Sequence, residues 1–119
     1  PGGFWTSYQE INGYVWLKDN IPPNAKVFTF VNSGAVIGMD KYICRWCPDE
    51  MKFQESGFKN SASEIRDWLK SKDYEYFIID GGTVKKFGIN ETNSKLQGIA
   101  SSGLFQLVHQ NPAFFLFKV

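Results

Sequence analysis

The sequence predicts an α/β fold: a small mixed sheet whose parallel core comes from two helix–strand units, with a C-terminal antiparallel hairpin added to it. Three observations predict this fold. An amphipathic helical pattern twice precedes an apolar, strand-like run, ahead of residues 27–31 and again ahead of residues 76–79. Strands joined through a helical crossover lie parallel, with a right-handed connection. Near the C-terminus, two more strand-like runs flank the turn sequence Asn111-Pro112-Ala113.

The second helix–strand unit carries the clearest local signals. Ser61 and Glu64 have the spacing of a capping box, in which the serine oxygen accepts a first-turn N–H and the glutamate reaches back to the cap. This predicts a helix that begins at Ser61. Residues 76–79 are aromatic or β-branched, which is typical of a strand covered on both faces, and Gly81-Gly82 ends the run. The apolar face of this helix comprises Ala62, Ile65, Trp68 and Leu69.

The first unit has the same order. A helical pattern follows Ser7, which is available as a cap, and Pro22-Pro23 forbids its continuation. We expect this helix to tolerate Gly13. Residues 27–31 are rich in β-branched and aromatic side chains, which predicts a strand, and Asn32-Ser33-Gly34 closes it. The apolar positions at helical spacing are Tyr8, Ile11, Tyr14 and Val15.

The rest of the chain has weaker patterns. Residues 34–60 are expected to be irregular, apart from a short edge strand at 41–46. A short helix is predicted from about Thr92 to Ser101, with Gly103 as its stop. The hairpin strands are predicted at 104–110 and 114–119.

Composition indicates a single soluble domain spanning residues 1–119. Thirteen basic and twelve acidic residues give a net charge of +1 without any run of like charges, which argues against a nucleic-acid partner. No apolar run approaches the ~18 residues that a membrane span needs. The chain begins without Met, so we expect either a mature protein or an excised fragment of a larger one. Aromatic residues make up 17%, which predicts an aromatic core or a surface that faces a partner.

Cys44-Arg45-Trp46-Cys47 is the conspicuous local motif. It is consistent with a structural disulfide or inert thiol pair, with a redox-active dithiol, or with half of a zinc site. Pro48 could occupy the first position of a helix, which a redox site would use. A complete zinc site needs four nitrogen or sulfur ligands, and the chain offers two Cys and the distant His109. We therefore predict a possible disulfide and no metal.

A second candidate site is a crevice at the ends of the two parallel strands. Asp80 ends the second strand, and Asn32 and Ser33 follow the first. Sheets of this kind bind ligands at the carboxyl ends of their strands, so these three residues could line a ligand crevice. Alternatively, they supply only turn chemistry. The glycines after Asp80 lack the lysine of a phosphate loop, so no cofactor is predicted.

Two further residues, Asn90 and His109, are candidate sites. Asn90-Glu91-Thr92 has the form of an N-glycosylation acceptor on a polar, exposed segment. His109 ends a predicted strand without an orienting group or a nucleophile, which indicates a surface or rim residue. No catalytic residues are predicted.

The order of the segments resembles the C-terminal region of polytopic membrane glycosyltransferases of the GT-C type, which include oligosaccharyltransferase-like and protein O-mannosyltransferase-like proteins. Residues 14–27, YVWLKDNIPPNAKV, are similar to that group's helix, proline break and strand. The likeness continues through Trp68-Leu69-Lys70, residues 74–80 and residues 105–109 and 115–119. It spans most of the chain and lies in the helix–strand pattern.

The resemblance implies a non-catalytic domain on the extracytoplasmic face of a membrane, tethered to the transmembrane part of its own parent chain. It would shape or cover the acceptor side of the membrane-embedded site, near a glycan or polypeptide acceptor. The acceptor-recognition motif of oligosaccharyltransferases, Trp-Trp-Asp-x-Gly, corresponds here to residues 30–34, which keep only Gly34. This implies another specificity. The alternatives are a small extracytoplasmic thiol-redox module that uses Cys44 and Cys47, and an α/β ligand-binding module.

Overall fold

The computed structural model describes residues 8–119, which fold into a mixed α/β unit. A 3-10 turn (Gly57–Lys59) follows the third helix. The elements in chain order are α1 (Tyr8–Asn20), β1 (Val27–Thr29), α2 (Ser33–Gly38), α3 (Pro48–Ser56), α4 (Ala62–Ser71), β2 (Tyr76–Asp80), α5 (Gly81–Phe87), α6 (Ile89–Ser102), β3 (Gln106–Asn111) and β4 (Phe114–Lys118).

The four strands form one sheet in the order β1-β2-β4-β3. β1 and β2 are parallel, with Phe28 opposite Phe77, whereas β4 pairs antiparallel with both β2 and β3. The predicted fold class is therefore confirmed: two helix–strand units supply the parallel pair, and the C-terminal hairpin joins it antiparallel. β1 ends at Thr29, earlier than the predicted strand.

Helices cover both faces of the sheet. On one face α1 packs through Tyr14, whose ring lies edge-on to Phe114, and through Trp16, which stacks on His109. On the other face Phe28 meets Trp68 of α4 edge-on. Many of the aromatic residues lie in this core, where such edge-to-face pairs contribute beyond the burial of area.

The best-defined helix ends agree with the sequence. The Ser61 hydroxyl accepts from the Glu64 N–H, and the Glu64 carboxylate accepts from the Ser61 N–H, so the predicted capping box is confirmed. α6 ends at Gly103, whose φ of 69° lies in the left-handed region that favours glycine. The predicted stop is thus confirmed, although α6 begins earlier than expected, at Ile89.

The prediction for residues 34–60 was wrong. This segment contains α2 and α3, because Val36 and Phe53 bury apolar side chains that an exposed loop would leave in water. Pro48 stands at the first position of α3, where its missing N–H has no helical partner to lose. Residues 41–46 are not a strand, since they form a single parallel bridge from Tyr42 to Lys26. α5 was not predicted either.

α1 is present as predicted, but its buried face is different. Gly13, Tyr14 and Leu17 face the sheet, whereas Tyr8, Ile11 and Val15 are exposed. Gly13 is needed at this contact because a Cβ there would collide with the Phe114 ring. The predicted cap, Ser7, lies outside the described residues.

Candidate functional site

Asp80 lies where β2 ends and α5 begins. It is the N-cap of α5, and its Oδ1 accepts hydrogen bonds from the Thr83 N–H at 3.1 Å and the Thr83 hydroxyl at 3.2 Å. Aspartate favours this position because its carboxylate accepts from first-turn N–H groups that have no helical partner. The side chain is only 1% exposed.

The second oxygen of Asp80 links the two helix–strand units. Asp80 Oδ2 accepts from the Tyr14 hydroxyl and from Asn32 Nδ2, each at 2.6 Å. The parallel arrangement of β1 and β2 brings Asn32 and Asp80 together, because both follow the carboxyl end of a strand. Gly82 leaves room for this contact, since a Cβ there would lie 2.6 Å from Asn32 Nδ2.

Glu10, on α1, completes this cluster. Its Oε2 accepts from the Gly82 N–H at 3.1 Å and from Asn32 Nδ2 at 3.4 Å. Burial and the negative charge of Asp80 raise the pKa of Glu10 to about 7. The same two causes, burial first, raise the pKa of the Tyr14 phenol well above its usual value.

Ser33 lies apart from this cluster. Its hydroxyl accepts from Gln54 Nε2 at 2.9 Å, and the same amide nitrogen donates to the Thr29 carbonyl at 2.7 Å. The three residues of the predicted crevice therefore divide between two hydrogen-bond networks. Binding of a ligand by Asn32, Ser33 and Asp80 stays a prediction.

Local sequence patterns contain few signs of the other cluster members. The spacing of Asp80 and Thr83 is that of an N-cap and the third residue of its helix, a signal that could have identified α5. Glu10 and Tyr14 have helical spacing on α1, but no local pattern connects either residue with Asp80. Only the packing of α1 on the sheet brings Glu10 and Tyr14 next to Asp80.

A disulfide joins Cys44 and Cys47, whose Cα atoms are 5.5 Å apart. Cys44 is buried, whereas Cys47 is half-buried at the N-cap of α3. Of the outcomes that the sequence left open, the structure thus holds the bonded form. The bond by itself does not distinguish a structural disulfide from a redox-active one.

A buried glutamate lies beside the disulfide. Glu50 Oε2 accepts from the Tyr74 hydroxyl at 3.1 Å, and the phenol oxygen of Tyr74 accepts from the Cys44 N–H at 3.2 Å. The two sulfurs and a Glu50 oxygen lie within 4.8 Å of one another. Such donors would suit a soft divalent ion, but the bonded sulfurs offer no thiolate to coordinate it. Burial raises the pKa of Tyr74.

A cavity of about 520 Å³ lies between α6 and the β3–β4 hairpin. Its wall is mainly apolar, with Leu96, Phe105 and Phe117 among the lining residues. Carboxamides from Asn93 and Gln97 supply hydrogen-bonding groups. None of the residues that line this cavity carries a charge, so it suits an uncharged group.

The remaining two candidates lie elsewhere. Asn90 is exposed in the first turn of α6, but Thr92 is buried and its hydroxyl donates to the Gly88 carbonyl at 2.8 Å. Glycosylation of Asn90 stays a prediction. The His109 ring is stacked on Trp16 with 4.2 Å between centroids, and burial lowers its pKa.

Comparison with known proteins gives no match: no protein-family model, no curated protein and no solved structure matches the chain. Among the helices of residues 8–119, none combines the length and the apolar character that crossing a membrane requires. Inference about function therefore depends on the geometry above and on the resemblance of the sequence.

Proposed function

We propose that this chain is a non-catalytic extracytoplasmic domain of a membrane-bound, glycosyltransferase-like protein. It shapes or covers the acceptor side of the parent's membrane-embedded site. One observation carries the proposal: the segments that resemble the GT-C group lie in the four strands of the sheet and in two of the helices that pack on it. They form α1 with β1, α4 with β2, and the β3–β4 hairpin.

The disulfide supports a location outside the cytoplasm. Disulfides persist in oxidising compartments and are rare where thiol reductants are abundant. Cys44 and Cys47 are the two cysteines of the sequence, and they are bonded to each other. This argument concerns the compartment alone and is independent of the resemblance.

The use of its acidic groups supports a non-catalytic role. Both oxygens of Asp80 accept hydrogen bonds from protein donors, and the side chain is buried. A general base must reach the proton that it abstracts from a substrate. Asp80 instead ties α1, β1 and α5 together, so the catalytic carboxylates are expected in the membrane part of the parent.

The outer face of α1 is a candidate contact with that membrane part. Tyr8, Ile11 and Val15 lie at helical spacing and are 73%, 57% and 44% exposed. Apolar side chains grouped on an exposed helix face often mark a contact surface. The expected partner is the transmembrane part of the same chain.

Fractionation of native cells tests the proposal. An antibody raised against residues 8–119 should detect a polypeptide much larger than 13.6 kDa that sediments with membranes and resists alkaline extraction. Protease with access to the extracytoplasmic face of sealed membranes should remove the epitope, and a cytoplasmic protein should survive as the control. A free species near 13.6 kDa in the soluble fraction would contradict the proposal.

A second test concerns catalysis. The isolated domain, mixed with lipid-linked sugar from the parent membranes and an acceptor, should transfer no sugar, whereas the intact membranes should. Turnover by the isolated domain would exclude a non-catalytic role.

A further inference from the structure

The two cysteines of the disulfide differ in exposure. Cys44 is 3% exposed, and its N–H donates to the Tyr74 hydroxyl. Cys47 is half-buried and stands at the surface end of α3. Exchange begins when a thiolate attacks a disulfide sulfur, so access decides which sulfur is attacked. An incoming thiolate therefore reaches Cys47.

The position of Cys47 also favours its departure as a thiolate. Cys47 is the N-cap of α3, with φ −73° and ψ 126°, and its side chain makes no capping hydrogen bond in the disulfide form. A side-chain acceptor at an N-cap bonds to first-turn N–H groups, and the helix dipole favours negative charge there. A thiolate at Cys47 would supply the missing cap, so reduction gains an interaction that the disulfide lacks.

We propose that Cys44–Cys47 is an exchangeable disulfide that oxidises pairs of cysteine thiols in polypeptides, with attack at Cys47. This activity is separate from sugar transfer, in which the domain is proposed to have no catalytic part, and it does not depend on the proposed function. The more exposed Cys47, the buried Cys44 and the unfilled cap of α3 together favour an exchangeable disulfide over a structural one.

The exchange takes two steps. A substrate thiolate attacks Cys47 Sγ, the Cys44–Cys47 bond breaks, and its electron pair leaves on Cys44, which takes a proton from water. The second substrate thiolate then attacks the substrate sulfur of the mixed disulfide, and Cys47 leaves as a thiolate. The substrate loses two electrons and gains a disulfide, and the protein pair gains the two electrons. A small-molecule disulfide such as oxidised glutathione restores the bond by the reverse exchange.

Charged and titratable groups around the sulfurs modulate this reaction. The Glu50 carboxyl group lies within 4.8 Å of both sulfurs, and its negative charge disfavours a thiolate. Tyr74 donates to Glu50. Asp49, in the same turn, is paired with Lys72 at 2.7 Å, and Arg45 is exposed between the cysteines. Removal of the Glu50 charge should therefore increase the thiolate fraction at Cys47.

Alkylation of the reduced protein tests the order of reactivity. The protein is reduced with dithiothreitol, desalted and treated with iodoacetamide across a pH series, and peptide mass mapping assigns the modified thiol. Cys47 should react at least about tenfold faster than Cys44, with its midpoint at least about one pH unit below the ~8.5 of an ordinary thiol. Equal rates, or a Cys47 midpoint at or above the ordinary value, would overturn the proposal.

Glu50→Gln tests the charge effect. The variant should increase the rate of Cys47 alkylation at pH 6 about tenfold, as expected for removal of a nearby like charge. Glu55→Gln, further along the same helix, is the matched control and should change the rate less than about twofold. If Glu50→Gln does not fold, the exposed Asp49→Asn should shift the rate in the same direction by a smaller factor. A change in melting temperature without any change in the alkylation midpoint would contradict the charge effect.

Direct exchange is the decisive measurement. The oxidised protein is mixed with a reduced peptide that contains two cysteines, and both partners are followed by mass spectrometry after acid quenching. Stoichiometric oxidation of the peptide, faster than with an equal concentration of oxidised glutathione, is expected. Treated with oxidised glutathione, Cys44→Ser should accumulate a mixed disulfide between Cys47 and glutathione with release of one reduced glutathione, and Cys47→Ser should accumulate much less through Cys44. If the peptide stays reduced, the proposal is wrong.

Discussion

The N-caps of α5 and α3 are an aspartate and a cysteine, and the two are arranged differently. At α5, Asp80 fills the N-cap and also binds Tyr14 and Asn32. At α3, Cys47 occupies the N-cap without a capping hydrogen bond. The Asp80 side chain is buried and both of its oxygens are hydrogen-bonded, which suits a structural role. Cys47 is half-buried at an unfilled cap, which suits the proposed exchange.

The largest expected effect on stability comes from removal of the buried Asp80 carboxylate. Asp80→Ala removes the acceptor for Tyr14, Asn32 and Thr83 and leaves their donors buried, so the free energy of unfolding should fall by about 3–5 kcal/mol. Chemical denaturation measures this loss. Asp67→Ala on the exposed side of α4 is the control and should change stability by less than about 0.5 kcal/mol. A loss below about 1 kcal/mol at Asp80 would contradict its structural role.

The next largest effect on stability is expected at the contact between Gly13 and Phe114. Gly13→Ala pushes a methyl group into the Phe114 ring, and such overpacking should cost about 2–3 kcal/mol. Gly98→Ala on α6 is the matched control, because a Cβ there meets nothing within 4 Å. The control should stabilise the helix by about 0.5–1 kcal/mol. If thermal unfolding gives the same change in stability for both variants, the contact between Gly13 and Phe114 has room for a methyl group.

Paired cysteine variants examine the unfilled cap. Replacing both cysteines by alanine opens a very short loop and should cost about 2 kcal/mol. Replacing the buried Cys44 by alanine and Cys47 by serine should cost about 1 kcal/mol less, because a serine at position 47 supplies the cap that the disulfide form lacks. Denaturant titrations of the two double variants measure the difference. Identical stabilities would mean that the terminus of α3 does not use a cap.

The smallest expected effect is a pH dependence of stability that arises from Glu10, beside Asp80. The pKa of Glu10 in the folded chain, about 7, lies above the ordinary 4.5, so the folded chain binds more protons between these values. The contribution of Glu10 to stability is therefore fully present below about pH 4.5 and is lost as the pH rises through 7.

Glu10→Gln should remove this dependence. The variant should gain about 1 kcal/mol at pH 8, after allowance for solvent screening of a half-exposed group, and should match the parent at pH 5. Denaturation at the two pH values measures the change, and the exposed Glu75→Gln is the control. An equal gain at both pH values would point to a cause other than titration.

The sequence predicted those parts of the fold that have a local pattern. The capping box at Ser61 and the left-handed glycine at 103 are signals within one turn, and both were confirmed. α2 has only six residues, two of them glycines, so helical spacing could not reveal it. Of the helices that were missed, α2 is stabilised by burial of Val36 and not by its own propensity.

The sites depend on longer distances. The predicted parallel pairing of the two strands placed Asn32 and Asp80 at the same end of the sheet, and the two side chains share a hydrogen bond. Tyr14 and Asp80 are separated by 66 positions, and Glu10 and Gly82 by 72. No residue pattern joins positions so far apart, because tertiary packing creates these contacts.

The free edges of the sheet have a consequence for self-association. β3 forms one outer edge, and its pairing register with β4 shifts between Leu107 and His109. A bulge of this kind interrupts the row of backbone groups that another strand would need as a template. β1 forms the other edge, is three residues long and is followed outward by the bridge from Lys26 to Tyr42. Copies of the domain can therefore stand side by side at high density without strand-to-strand polymerisation.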